Sequence, residues 1–403
     1  YRDHKNIIKI VSASIIAVFF TVYTASAFSS GAKLFATLFS DSASGDENYN
    51  RVYVIGLIVA AVVILVYTFM GGFKAVCTTD LIQGLMMIVA ILTVPVLAYA
   101  ILTFDTSFSS ALAAKGVEQP AQFLNFFVNG DGTPVSAVSI ISNLAWGLGY
   151  FGMPHILVRF MAVKSNEEIK KSRKIAVVWV IISLTASCLI GLIARGYLTA
   201  QLDDATSESV FIRTIQQLFS GNGVLIFIGG IFLCGILAAI MSTADSQLLV
   251  TASAVSEDLY KGAVKKNASE KSSLLVGKIA VAVVAVIAFF IALNPKSSIM
   301  GLVSDAWAGF GSAFGPVVLL ALFWKRSTLS GAISGMATGA LTVIIWDYIP
   351  LVNGQTLYAA TNLYSLVVGF GLALIVNVIV SLLSKKPSKE IIDEFDSIKN
   401  IEV

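Results

Sequence analysis

Trp146-Gly147-Leu148-Gly149-Tyr150-Phe151-Gly152-Met153-Pro154-His155 sets three glycines, a proline and several large rings inside a stretch otherwise apolar enough to cross a bilayer. Glycine weakens a helix and proline removes a backbone donor, so the helix is expected to break here and to leave carbonyls and amides unpaired. Within lipid such a break is tolerated only around a cavity or inside protein, and a discontinuous helix near the midplane is a common way to build a transporter's substrate site. Trp146 and Tyr150, at i and i+4, would share one face toward a ligand. The alternative for either ring is a place in the interfacial belt, binding nothing.

A second stretch, Ala238 to Gln247, brings Ala239, Ser242, Thr243 and Ser246 to one helix face at i, i+3, i+4 and i+7. Hydroxyl oxygens on a helix face suit a small alkali cation, whereas the plainer reading is that each hydroxyl bonds back to the carbonyl one turn earlier. Asp245 weighs toward function, because a carboxylate near mid-span costs about 2.5 to 3.5 kcal/mol to insert. Asp80, in Thr78-Thr79-Asp80 at the head of the next apolar run, is either a helix N-cap or a cation ligand facing Asp245 and Ser242. In Ser304 to Pro316, glycines again interrupt an apolar run beside Trp307 and Phe310, which reads either as a bend or gate or as helix packing. His4 and His155 are the only histidines, too few for a proton relay or a metal site. His155 is expected to cap the broken segment, and Arg159 to snorkel toward the interface.

These residues need helices to carry them, and the composition supplies membrane helices. The 403 residues are 57% hydrophobic and 13% charged, with mean hydropathy +0.85, against about 25% charged in soluble domains. Ten apolar segments reach spanning length, near 10–38, 52–70, 79–103, 137–161, 175–198, 223–254, 273–293, 299–324, 328–349 and 361–384. Lysine and arginine gather in alternate loops (Arg159 to Lys174, Lys261 to Lys271, Lys325 and Arg326) and in the tail at Lys385, Lys386 and Lys389, which puts that side and both ends of the sequence in the cytoplasm. The opposite loops, Asp41 to Glu47, Asp105 to Val135, Asp203 to Glu208 and Asn353 to Thr361, are acidic or polar. The polar tail after Ser384 reads as a solvated or surface-lying segment. Cys77, Cys188 and Cys234 imply no disulfide framework and read as small buried residues. A net charge of +3 gives nucleic-acid binding no support. A channel would need a continuous polar pore lining, and a membrane enzyme a cluster of acid, base or metal ligands.

With these stretches assembled, the chain resembles the sodium/solute symporter family, and within it the bacterial sodium/proline symporters. The likeness lies in Tyr67 to Phe73, Trp146 to Leu157, Ile236 to Thr243, Ser256 to Tyr260 and Trp307 to Gly311. It implies an all-α polytopic membrane protein of the leucine-transporter-like inverted-repeat fold. Residues 1–136 would then be a partial first repeat with an extracellular loop, 137–326 the second repeat, 327–384 two peripheral spans and 385–403 a cytoplasmic tail. Trp146, Tyr150 and Pro154 match substrate-binding positions, and Ala239, Ser242 and Thr243 match a sodium site. Asp80, Ser242, Asp245 and Ser246 match a further sodium site, with Asp245 in place of a serine. The first three spans of the family would lie outside this sequence, and with them one aspartate and the carbonyls that complete both sites. The implied function is sodium-coupled import of proline across the cell membrane by alternating access, with Na⁺ as coupling ion, no cofactor and no enzymatic step. Another small solute (vitamin, sugar or acid sugar) and an inactive truncated fragment are the competing readings.

Overall fold

The computed structural model describes residues 1, 3, 6–40, 46–70, 73–204 and 206–399. His4, the Gly71-Gly72 pair and Asp41 to Gly45 lie outside the described residues. The helices run α1 (Ile7–Phe39), α2 (Glu47–Met70), α3 (Phe73–Asp105), α4 (Phe108–Ala114), α5 (Ala137–Gly149), α6 (Pro154–Met161), α7 (Asn166–Tyr197), α8 (Val210–Leu218), α9 (Gly223–Ser253), α10 (Glu270–Ala292), α11 (Ile299–Phe323), α12 (Leu329–Tyr348), α13 (Leu357–Thr361), α14 (Ser365–Leu383) and α15 (Lys389–Lys399). Ahead of α13, a two-stranded ribbon pairs β1 (Pro350–Val352) with β2 (Gln355–Thr356). Many starts are set by the sequence directly. Ser136, Asn222, Ser298 and Thr328 each accept an amide three residues on, and Ser165 with Glu168 has the spacing of a capping box.

Among the described residues, nine helices are long and apolar enough to cross a membrane. The tenth expected span, 137–161, is there as α5 and α6, two pieces too short to span singly. α9 continues without a loop into a π-helical stretch, Ala254–Val264. The tail carries the amphipathic α15, tied to the bundle by Lys325 and Asp396 (3.4 Å).

The outer faces are apolar, as lipid requires. Val62 (54%), Ile175 (68%) and Phe290 (65%) stand exposed. Cys77, Cys188 and Cys234 are exposed as well, so their expected burial is corrected: among the described residues no side chain buries them. Inside, two apolar clusters meet at α1. One joins Phe19, Phe20, Met153, Phe310, Phe314 and Phe370 around α11. The other joins Phe28, Tyr53, Leu57, Leu248 and Ala288 around α2, α9 and α10.

One polar staple closes the end of the bundle away from the lysine-rich loops. Lys33 Nζ of α1 donates to Glu208 Oε2 (2.5 Å) and to the Ser297 carbonyl (2.8 Å). Glu208 Oε1 accepts the Ser298 hydroxyl (2.9 Å) and the Met300 amide (3.1 Å) at the start of α11. Burial raises the Glu208 pKa, but these hydrogen bonds and the lysine outweigh it, so the carboxyl sits below its ordinary range.

Candidate ion and solute site

The break in the fourth span is confined to one extended residue. From Gly149, α5 continues as a 3₁₀ turn over Tyr150–Gly152. The backbone leaves helical geometry at Met153 (φ −77°, ψ 109°), and Pro154 opens α6 at the position where its missing N–H costs least. The Met153 carbonyl then accepts the amides of Ile156 and Leu157 (both 3.1 Å).

What packs on the break explains its glycines. A Cβ at Gly152 would run into the Phe310 carbonyl and approach the Gly315 amide to 2.9 Å, and one at Gly149 would overlap the Trp307 indole. Both glycines therefore let α11 lie directly on the turn. α11 is itself continuous and buried from Ala306 to Val317. Its own glycines sit at packing positions, Gly309 against Phe19 and Gly311 against Leu366 and Gly149. Trp307 and Phe310 are buried, with Phe310 against the rings of Phe19 and Phe20.

Beyond the break, α6 reaches the hydroxyl stripe. A cavity of about 310 Å³ is lined by Asp80 of α3, His155 and Arg159 of α6, Trp179 of α7, and Ser242, Thr243 and Ser246 of α9. Ser242 Oγ and Thr243 Oγ1 both donate to the Ala239 carbonyl (3.1 and 2.9 Å). The back-bonding reading is thus realised, and it leaves the acceptor lone pairs of both hydroxyls available. Ser246 Oγ donates to the Ser242 carbonyl (2.9 Å) and lies 3.4 Å from Asp80 Oδ2.

Arg159, expected only as an interfacial anchor, takes part in the cavity. Its Nη2 bonds Asp80 Oδ2 (2.5 Å) and Ser246 Oγ (2.8 Å), while Nη1 donates to the His155 carbonyl (2.9 Å). It turns inward, and the expected snorkelling is corrected: a carboxylate in the same span region is a nearer counter-charge than bulk water. The signal was available, since a lone arginine and a lone aspartate at membrane depth seek each other. Asp80 is likewise no N-cap, because α3 starts at Phe73 and places it inside the helix. Nor does His155 cap. The α6 N-cap, Met153, has no side-chain bond, and the His155 ring packs against Phe20 (5.8 Å) and Tyr23 (6.4 Å) with Nδ1 buried and without a partner among the described residues.

Asp245 lies outside this cavity. It is fully buried, and neither carboxylate oxygen is within hydrogen-bonding geometry of a partner among the described residues. The Thr68 hydroxyl of α2 stands beside it but donates to the Ile64 carbonyl (2.8 Å). The aromatic set lies on the other side of the break. Trp146 stacks on Tyr364 of the α14 N-cap (centroids 5.6 Å, planes 22° apart) and tilts against Trp307 (5.8 Å, 31°). Tyr150 meets Trp307 edge-on (4.9 Å). Neither Trp146 nor Tyr150 lines the 310 Å³ cavity, and Pro154 is buried at the turn between the two sets.

Residues 1–339 match the Sodium:solute symporter family. The "Osmoregulated proline transporter OpuE" of Bacillus subtilis (strain 168) is 42% identical over 392 residues, covering 96% of this chain and 73% of that protein. The "Sodium/proline symporter" of Staphylococcus aureus is 41% identical over 408 residues, covering 99% and 74%. Among solved structures, the substrate-bound outward-open state of a Na⁺-coupled sialic acid symporter matches with TM-score 0.66 at 18% identity, over 94% of this chain and 76% of that one. At that identity the likeness speaks for the fold, the leucine-transporter-like arrangement expected above.

Proposed function

The chain belongs to the sodium:solute symporter family, and we propose that it imports L-proline together with Na⁺ by alternating access. It is a multi-pass membrane transporter rather than an enzyme. The observation that carries the ion assignment is the convergence of Ser242, Thr243, Ser246 and Asp80 on one cavity reached by the broken helix. The Ala239 carbonyl with the Ser242 and Thr243 hydroxyls forms the sodium site. Asp80 and Ser246 form a second cation position, held in this conformation by the Arg159 guanidinium; a sodium ion there would replace it. Asp245 stays outside that set. Proline as the solute is supported by the names of relatives that match nearly all of this chain, with Trp146, Tyr150 and Pro154 as its contacts. We assign residues 1–136 and 137–326 to the two inverted repeats and the lysine-rich loops to the cytoplasm.

The energetics suffice. A membrane potential contributes about 2.3 kcal/mol per charge per 100 mV. At about 1.4 kcal/mol per decade, one co-transported ion supports more than tenfold accumulation before its own gradient is counted.

The test is radiolabelled proline uptake in proteoliposomes as sodium is varied. Ser242→Ala and Thr243→Ala should each raise the half-saturating sodium concentration, and Trp146→Ala the half-saturating proline concentration. Unaltered sodium dependence in the first two removes the ion assignment. Competition by an unlabelled vitamin or sugar in place of proline would reassign the solute.

A further inference from the structure

Trp146 is held by a residue that nothing above assigns to the site. Tyr364 lies at the N-cap of α14, outside the proposed repeats, and is only 7% exposed. Its ring covers the Trp146 indole at 5.6 Å with the planes 22° apart. Three bonds fix that ring. The hydroxyl donates to the Ser304 carbonyl of α11 (2.8 Å), the backbone amide donates to Ser142 Oγ of α5 (3.0 Å), and the preceding Leu363 carbonyl accepts Trp346 Nε1 of α12 (3.0 Å). Trp307 packs on the same indole and donates to the Trp146 carbonyl (3.0 Å). The Trp146 indole N–H, in contrast, on a half-buried ring, donates to nothing among the described residues.

We propose that Tyr364 is a positioning residue for solute binding: it clamps the Trp146 indole through its face, so that Trp146 offers the solute its N–H edge. The inference rests on the reading of Trp146 as a solute contact and adds how that contact is made. An indole already covered by rings from α11 and α14 has little free face for a pyrrolidine, whereas a free indole N–H is a ready donor to a carboxylate. The clamp also ties solute affinity to α14 and α12, which contribute nothing to the ion cavity.

The experiment is proline uptake by the reconstituted protein carrying Tyr364→Leu, Tyr364→Phe and Trp146→Ala, singly and as the Trp146→Ala/Tyr364→Leu pair. Tyr364→Leu should raise half-saturating proline about three- to tenfold, the size of a lost aromatic pair, with half-saturating sodium unmoved. Tyr364→Phe keeps the ring and should recover most of that loss. In the Trp146→Ala background Tyr364→Leu should add nothing, as coupled neighbours require. Losses that add, or a fall in maximal rate with proline affinity intact, overturn the clamp. If Tyr364→Leu does not reach the membrane, Ser142→Ala decides: a rise in half-saturating proline in the same direction supports the clamp and an unmoved value rejects it. Trp146→Ala without effect on proline affinity would instead sink the underlying solute assignment, so the two failures are separable.

Discussion

At the residue scale, the Asp80–Arg159 pair is the most consequential contact. A guanidinium bonded to both a carboxylate and a hydroxyl marks a place shaped for positive charge, and on the proposed ion assignment it would compete with a mobile cation for the same oxygens. Arg159→Gln should therefore lower the half-saturating sodium concentration for uptake by up to about fivefold, the scale of a partly exposed charge pair. Asp80→Asn should raise it, and a sodium titration of uptake in both variants reads the two directions. The hydroxyl stripe was legible because i, i+3, i+4 spacing is a strict geometric rule. The partners of Arg159 and Tyr364 were not, because each lies 79 residues or more away in sequence: a charge in an apolar span signals that it needs a counter-charge, but local spacing does not say which one.

At the element scale, the glycines of the broken span divide into two kinds. Gly152 is pressed against α11, so Gly152→Ala should destabilise the folded protein by about 1 to 3 kcal/mol through overpacking. Gly147 has nothing within 4 Å of its missing Cβ, so Gly147→Ala should be neutral or stabilise by about 0.5 to 1 kcal/mol. Thermal unfolding of both variants in detergent checks the pair. Nine of the ten expected spans are single helices long and apolar enough to cross a membrane among the described residues, and they were legible because length and hydropathy are what a bilayer demands; the tenth is split into α5 and α6. The ends of the spans were less legible. The third span was expected from residue 79 because Thr78, Thr79 and Asp80 depress the hydropathy, yet the helix starts at Phe73, since a counter-charge from α6 lets the polar turn sit inside it. The break was visible from its residue types, but its reduction to Met153 depends on α11 holding the turn helical up to Gly152.

At the scale of the whole molecule, the neighbours of each helix were not legible. Spans apolar all round lack the one-sided pattern that tells which face is buried. The staple joining α1, the loop before α8 and the start of α11 is one such long-range link, and it gives the fold a pH dependence. Against the upward push of burial, hydrogen bonds from Lys33, Met300 and Ser298, with the Lys33 charge, hold the Glu208 carboxyl below its ordinary value of 4.5. The stabilisation is therefore fully present above that value and is lost as pH falls through the lower folded-state pKa. Melting temperature in detergent should drop as the buffer is taken below pH 4.5, and Glu208→Gln should flatten that part of the profile; an unchanged slope would count against the staple. Met153, finally, is the one extended residue between the 3₁₀ turn and α6, and so is placed where a fulcrum would be. Arg159 sits six residues beyond it, an arm of about 9 Å along a rigid rod. Swinging that arm by about 20° would sweep its tip roughly 3 Å, enough to part a close ion pair. A modest twist at a single peptide unit would thus be enough to release the tethered arginine, and on the proposed assignment the solute contacts and the ion contacts would become two ends of one seesaw.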